Sequence, residues 1–181
     1  MKVEKIDIEG VLIITPTVFG DDRGHFYESF RTDVLKDHGV TEDFVQDNQS
    51  LSGKGILRGL HFQKNPYSQG KLVRVIKGAV LDVIVDIRKS SPTYGKHYSI
   101  ELNEDNKKMF YVPPGLAHGF VTKEDDTIFV YKCTEYYNKE SEGCVLWNSP
   151  SLNIDWGIED PVLSGKDREG QDFSTFLSPF E

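Results

Sequence analysis

From Phe44 to Trp147 the chain is cut into short apolar runs, most of them closed by Gly, Pro, Asn, Asp or Ser. Such spacing leaves no room for long helices and reads as successive strands: Phe44–Leu51, Ile56–Gln63, Lys71–Ile76, Val80–Ile87, His97–Leu102, Met109–Val112, His118–Thr122, Ile128–Thr134 and Cys144–Trp147. Val11–Ile14 and His25–Phe30 precede them, the latter after the turn sequence Phe19-Gly20-Asp21-Asp22. Many short strands at this spacing predict a sandwich or barrel. One short helix is expected over Thr32–His38, where Val34 and Leu35 sit among charges and Gly39 supplies a stop.

Val80–Ile87 is the most informative strand. Leu81, Val83, Val85 and Ile87 form one row, which reads as a core face. Val80, Asp82, Ile84 and Asp86 form the other, mixing apolar groups with carboxylates as a cavity wall does. On alternation alone the simpler expectation is that Asp82 and Asp86 face water. After Trp147 the pattern lapses. Residues 148–161 read as loop, Leu163–Asp167 as a single helical turn, and the tail is polar apart from Phe173, Phe176, Leu177 and Phe180.

The chain has 181 residues, of which 38% are hydrophobic and 12% aromatic, enough for the core of one domain. A net charge of −8 argues against sequence-independent nucleic-acid binding, which needs clustered Lys and Arg. A small anionic ligand needs only a few basic groups in one pocket. The first ten residues contain no apolar signal core, and no run approaches the ~18 apolar residues of a membrane span. A cytoplasmic location without a membrane partner is therefore expected. Cys133 and Cys144 then read as buried free thiols.

Of the five histidines, His38 and His97 read as surface groups and His25 is open. His61, in RGLHFQ, follows Gly59, which would let the backbone bulge and re-aim side chains. His118 follows the proline-glycine turn of VPPGLAHGF. Pro113, Gly115 and His118 have the spacing of one metal-binding cupin signature. The complementary stretch, His61-Phe62-Gln63, offers only one imidazole, so a metal site is not expected. There is no nucleophile elbow, and the glycines of GKGILRG open a strand rather than a phosphate-cradling helix. Arg58, His61, Lys71 and Arg74 fall on two successive strands, and Tyr131-Lys132 on a later one. Imidazole, ammonium and phenol around one cavity suit proton abstraction beside a carbonyl: a base near neutrality, a cation for the developing oxyanion, and an acid on the other face.

RGLHFQ, QGKLVRVIKGAVLDVIVDIRKSSPTYG, YVPPGLAHGF, VYKCTEYY, CVLWN and LSGKD occur in that order. Together they resemble the dTDP-4-dehydrorhamnose 3,5-epimerase family, from DDRGHFYESF to Asp167. The resemblance implies an all-β, cupin-like jelly-roll barrel with short peripheral helices. It implies one domain, whose N-terminal region (about 1–50) is exchanged in a homodimer and whose tail (about 148–181) is loop and helix. The implied substrate is dTDP-4-dehydro-6-deoxy-D-glucose, inverted at C3 and C5, both beside the C4 ketone, with no metal or organic cofactor. By motif, His61 would be the base, Asp167 its orienting carboxylate, Tyr131 the acid and Lys71 the partner of the C4 oxyanion. The implied nucleotide-sugar ligands are Arg23, Glu28, Gln46, Asp47, Asn48, Arg58, Lys71, His118, Glu142 and Lys166. His118 has an alternative, structural role, held by a carboxylate such as Asp82. Competing readings are a single-centre epimerase on a related 4-ketosugar, a non-catalytic sugar-nucleotide-binding cupin, and a metal-dependent cupin oxygenase.

Overall fold

A computed structural model describes residues 1–181. Its strands, in chain order, are β1 (Lys2–Lys5), β2 (Leu12–Thr15), β3 (Phe19–Asp21), β4 (Gly24–Phe26), β5 (Gln46–Ser52), β6 (Leu57–Gln63), β7 (Lys71–Lys77), β8 (Ala79–Asp86), β9 (His97–Asn103), β10 (Met109–Val112), β11 (Leu116–Thr122), β12 (Thr127–Cys133) and β13 (Glu142–Cys144). Two short helices, α1 (Thr32–Asp37) and α2 (Gly165–Arg168), lie outside them. No helix is long and apolar enough to cross a membrane.

Two antiparallel sheets face each other. One runs β1-β2-β10-β7-β12-β5, the other β13-β6-β11-β8-β9, and β3-β4 is a separate hairpin. This is the cupin-like jelly roll. Val73 and Val75 of β7, Phe129 of β12, Val80 and Ile84 of β8 and Phe120 of β11 meet between the sheets. Alternation then settles where the polar side chains go, because residues of the same parity share a face. Lys71 follows Val73 inward, Tyr131 follows Phe129, and Asp82 follows Val80 and Ile84.

The sheets are also covered from outside. Leu152, Trp156, Phe176 and Phe180 of the C-terminal segment pack on Leu60, Phe62, Val83, Val85 and Ile87. Leu35 and Val40, from α1 and the turn after it, pack with Leu72, Met109 and Tyr111 on the opposite sheet. Burying a Phe or Leu side chain contributes roughly 1.5–3 kcal/mol, so the tail is a third layer rather than an appendage. Leu177, on the same tail, faces water.

This layering corrects the expectation for β8. Asp82 and Asp86 are both fully buried. With the tail on one face and the barrel interior on the other, β8 has no solvated side. Asp86 is compensated by Arg88, whose Nε and Nη2 donate at 2.9 and 2.8 Å, and by the hydroxyls of Ser91 and Thr93 at 2.6 Å each. Burial acts to raise its pKa, but these donors outweigh burial and hold the carboxyl at about 2.

Other boundaries differ more modestly. The run from His25 keeps strand geometry only to Phe26, and that from Cys144 ends at once, where Val145 bridges Gln171 of the tail. β1 and β3 carry too few apolar residues to announce themselves. β1 pairs with its own chain's β2. The β3-β4 hairpin stands off the barrel with Phe19 and Phe26 exposed. Both cysteines are free thiols, and His25, His38 and His97 lie on the surface.

Candidate active site

The barrel interior opens as a cavity of about 480 Å³. His61, Lys71, Tyr131, Gln46, Asn48, Arg58, His118, Glu142 and Lys166 all line it. Of the implied catalytic residues only Asp167 is not at its wall, and it lies directly behind His61.

His61 reaches the interior through a bulge. His118 of β11 pairs with His61 and Phe120 pairs with Arg58, so Gly59 and Leu60 together oppose Gly119 alone. The extra residue puts Arg58 and His61, three apart, on the same face, while Leu57, Leu60 and Phe62 all face the tail. Gly59 is required here. Its φ is +141°, and a Cβ would come within 2.4 Å of the Gly119 Cα.

His61 Nε2 lies 2.7 Å from Asp167 Oδ1. The same oxygen accepts the Gly59 N–H at 3.1 Å, and Oδ2 accepts the Ser164 hydroxyl at 2.6 Å. Ser164 and Asp167 form a reciprocal capping box on α2. Burial acts to raise the Asp167 pKa, but His61, Ser164 and the Gly59 amide together hold it at about 2. A carboxylate ionised this firmly accepts the Nε2 proton and leaves Nδ1, which has no protein partner, able to accept a proton. Burial holds the His61 pKa below its ordinary 6.5; Asp167 opposes the shift, and the Lys166 and Lys71 charges add to it. The lowered pKa favours the neutral imidazole, the form that can accept a proton.

Lys71 and Tyr131 stand on the other sheet. Cys133 pairs with Lys71 and Tyr131 with Val73, so the ammonium and the phenol are diagonal neighbours on the inner face. Lys71 forms no ion pair. Burial lowers its pKa, as it raises that of Tyr131. The phenol thus keeps its proton well past neutrality.

His118 Nε2 lies 2.9 Å from both oxygens of Asp82. The contact anticipated between His118 and Asp82 is present, and the ring also lines the cavity. Lys166 pairs with Glu142 at 2.6 Å, and the Tyr137 hydroxyl donates to the other Glu142 oxygen at 3.2 Å. The metal-cupin positions are otherwise engaged. The Gln63 amide donates to the carbonyls of Tyr67 and Tyr136 and its oxygen accepts the Asn138 N–H, while His118 is committed to Asp82.

Three implied ligands are not in the cavity. Asp47 alternates outward on β5 and pairs with Lys132 at 2.9 Å. It lines a groove of about 410 Å³ on the outer sheet face, where Arg74 also lies, away from His61 and Lys71. Arg23 sits on the exposed hairpin bound to Asp21, and Glu28 is paired with Arg31 at 3.5 Å. Conversely, Ser50, Ser164 and Tyr137 line the cavity without having been singled out. Ser164 carried a readable signal, the Ser-x-x-Asp spacing of a capping box. Ser50 shares the inward parity of Gln46 and Asn48, and its hydroxyl is buried without a protein partner.

A family model described as dTDP-4-dehydrorhamnose 3,5-epimerase matches residues 5–175. The chain belongs to that family. A relative of that name from Shigella flexneri is 51% identical over 174 residues, covering 96% of each chain. The crystal structure of the epimerase from Elizabethkingia anophelis superposes with a TM-score of 0.92 at 47% identity, covering 96% of this chain and 97% of that one. The epimerase from Legionella pneumophila, solved with dTDP-4-keto-L-rhamnose, gives a TM-score of 0.93 at 44% identity, covering 97% and 94%. This epimerase-family chain thus presents a complete His–Asp pair, an unpaired lysine and a protonated tyrosine within one barrel.

Proposed function

We propose that this chain inverts C3 and C5 of dTDP-4-dehydro-6-deoxy-D-glucose, forming dTDP-4-dehydro-L-rhamnose without a cofactor. The observation that carries the reading is that His61 and Tyr131 stand on facing sheets across a single cavity. A sugar ring held between them has a base on one side and an acid on the other. His61 Nδ1 takes the proton from the carbon beside the ketone. The electron pair moves to the C4 oxygen, and the Lys71 ammonium stabilises the resulting enolate. Tyr131 returns a proton from the opposite side, which inverts the centre. The His61 imidazolium is stabilised by Asp167 in the meantime. Because C3 and C5 both flank C4, one set of groups serves both centres.

Arg58 and Lys166 supply positive charge for the diphosphate, and Gln46, Asn48, Glu142 and His118 supply hydrogen bonds. Arg23 and Glu28 join the nucleotide only if the exposed hairpin reaches the cavity of a second copy, so this reading includes a homodimer.

A non-catalytic binding protein would use the same cavity, and His61→Asn separates the two. General-base catalysis contributes typically ~10²–10⁴-fold. The variant should lose that much turnover while still binding dTDP in a calorimetric titration. Near-normal turnover would remove His61 from the mechanism.

A further inference from the structure

We propose that Cys144, His61 and Asp167 form a latent site for a thiophilic divalent cation, with zinc as the type, and that its occupation disables the base. The inhibitory half rests on the reading of His61 above; the cation site itself rests on geometry.

The epimerisation uses His61 and Asp167 but gives Cys144 no task. Cys144 is directly opposite His61 in the β13–β6 pairing, and α2 brings Asp167 to the same point. One donor atom from each, imidazole nitrogen, thiol sulfur and carboxylate oxygen, lies within 4.8 Å of the other two. Around tetrahedral zinc, with bonds of about 2.0–2.3 Å, donors sit ~3.5 Å apart. Sulfur has only to close in, and the 2.7 Å His61–Asp167 contact to open by less than ~1 Å. The Cys144 thiol is otherwise engaged only in a weak 3.5 Å contact to the Val145 carbonyl. A nitrogen, sulfur and oxygen set leaves the fourth position open, and this set suits zinc rather than magnesium or calcium.

The surrounding charges tolerate a dication. Lys71 and Lys166 oppose it, but Lys166 is already paired with Glu142, and Asp167 with a Cys144 thiolate supplies two negative charges.

Binding balances as a proton exchange. The Cys144 thiol releases its proton to solvent as the sulfur–metal bond forms. The Nε2 proton of His61 moves to Nδ1 as Nε2 takes the metal. Nδ1 then has no lone pair with which to attack a substrate, so one cation per chain is enough to stop turnover.

The test uses Co²⁺ as the spectroscopic probe and Zn²⁺ as the inhibitor, on the full-length protein in a non-chelating buffer. The wild type should take one Co²⁺ per chain with a thiolate charge-transfer band, and Zn²⁺ should inhibit it reversibly on chelation. Cys144→Ser should keep basal turnover, lose the band and need at least ~10–100-fold more zinc for the same inhibition, the scale on which loss of even an outer partner of a metal ligand acts. Cys144→Ala serves if the serine variant folds poorly. No thiolate band in the wild type, or a band that survives in the Cys144 variants, would overturn the site. A Cys144-dependent band without inhibition would uphold the site and refute His61 as the base.

Discussion

Replacing Asp167 with Asn tests the His61 dyad and the fold around it together. The carboxylate receives four hydrogen bonds, from His61 Nε2, the Gly59 amide, and the Ser164 amide and hydroxyl. An amide of the same shape can accept at its oxygen but must point N–H groups where the other oxygen accepted. If these face His61, the ring is forced into the tautomer with its proton on Nδ1, and the base is lost. If they face Ser164, the capping box of α2 breaks. A hydrogen bond to a charged group is worth about 1.5–3 kcal/mol, or roughly 10–150-fold in rate. Tautomer reversal adds to that, so turnover should fall by about 10²–10⁴. Stability should fall as well. The native carboxyl is held at about 2 against an ordinary 3.8, a difference worth roughly 2 kcal/mol of folding free energy. Because the folded pKa is the lower one, this contribution is complete above about pH 4 and is lost as pH falls towards 2. Urea denaturation at pH 7 and at pH 3 should therefore show a gap between wild type and Asp167→Asn that narrows in acid. Full turnover in the variant, or a gap independent of pH, would refute the account of this carboxylate.

Other outcomes follow from the same geometry. The acid limb of the kcat/KM profile, which reports the free enzyme, should lie below pH 6.5, because burial resists protonation of His61, and Lys166→Met should move it upward by removing a repelling charge; a limb above 6.5 in the wild type would contradict this. Tyr131→Phe should lower kcat with KM changed only a few-fold, and a pure loss of affinity in steady-state kinetics would make Tyr131 a packing residue. Gly59→Ala should destabilise the fold by at least ~2 kcal/mol, since its Cβ meets backbone and its φ suits glycine alone; a melting temperature within a degree or two of wild type would argue against the bulge.

The barrel was legible because its strands are short, rich in apolar residues and bounded by turn formers. That His61, Lys71 and Tyr131 share one cavity was legible through motif and chemistry, and Gly59 through its suggestive place before His61. What alternation could not reveal was how many layers surround a strand. Asp82 and Asp86 look like surface groups until the tail covers one side of β8 and the second sheet the other. Arg74 shares a strand with Lys71 but differs in parity, and so points away from it. Asp47 separates from Gln46 and Asn48 for the same reason. The partners of the buried carboxyls, His118 for Asp82 and His61 for Asp167, lie 36 and 106 residues away in the sequence; motif resemblance suggested both pairs, and the folded chain supplies their geometry.

The most direct test of the central claim is turnover of dTDP-4-dehydro-6-deoxy-D-glucose in heavy water, with the sugar read by NMR. The account predicts deuterium at both C3 and C5 with inverted configuration at each. Exchange and inversion at one carbon would make the chain a single-centre epimerase, and a folded protein that exchanged neither would contradict the mechanism.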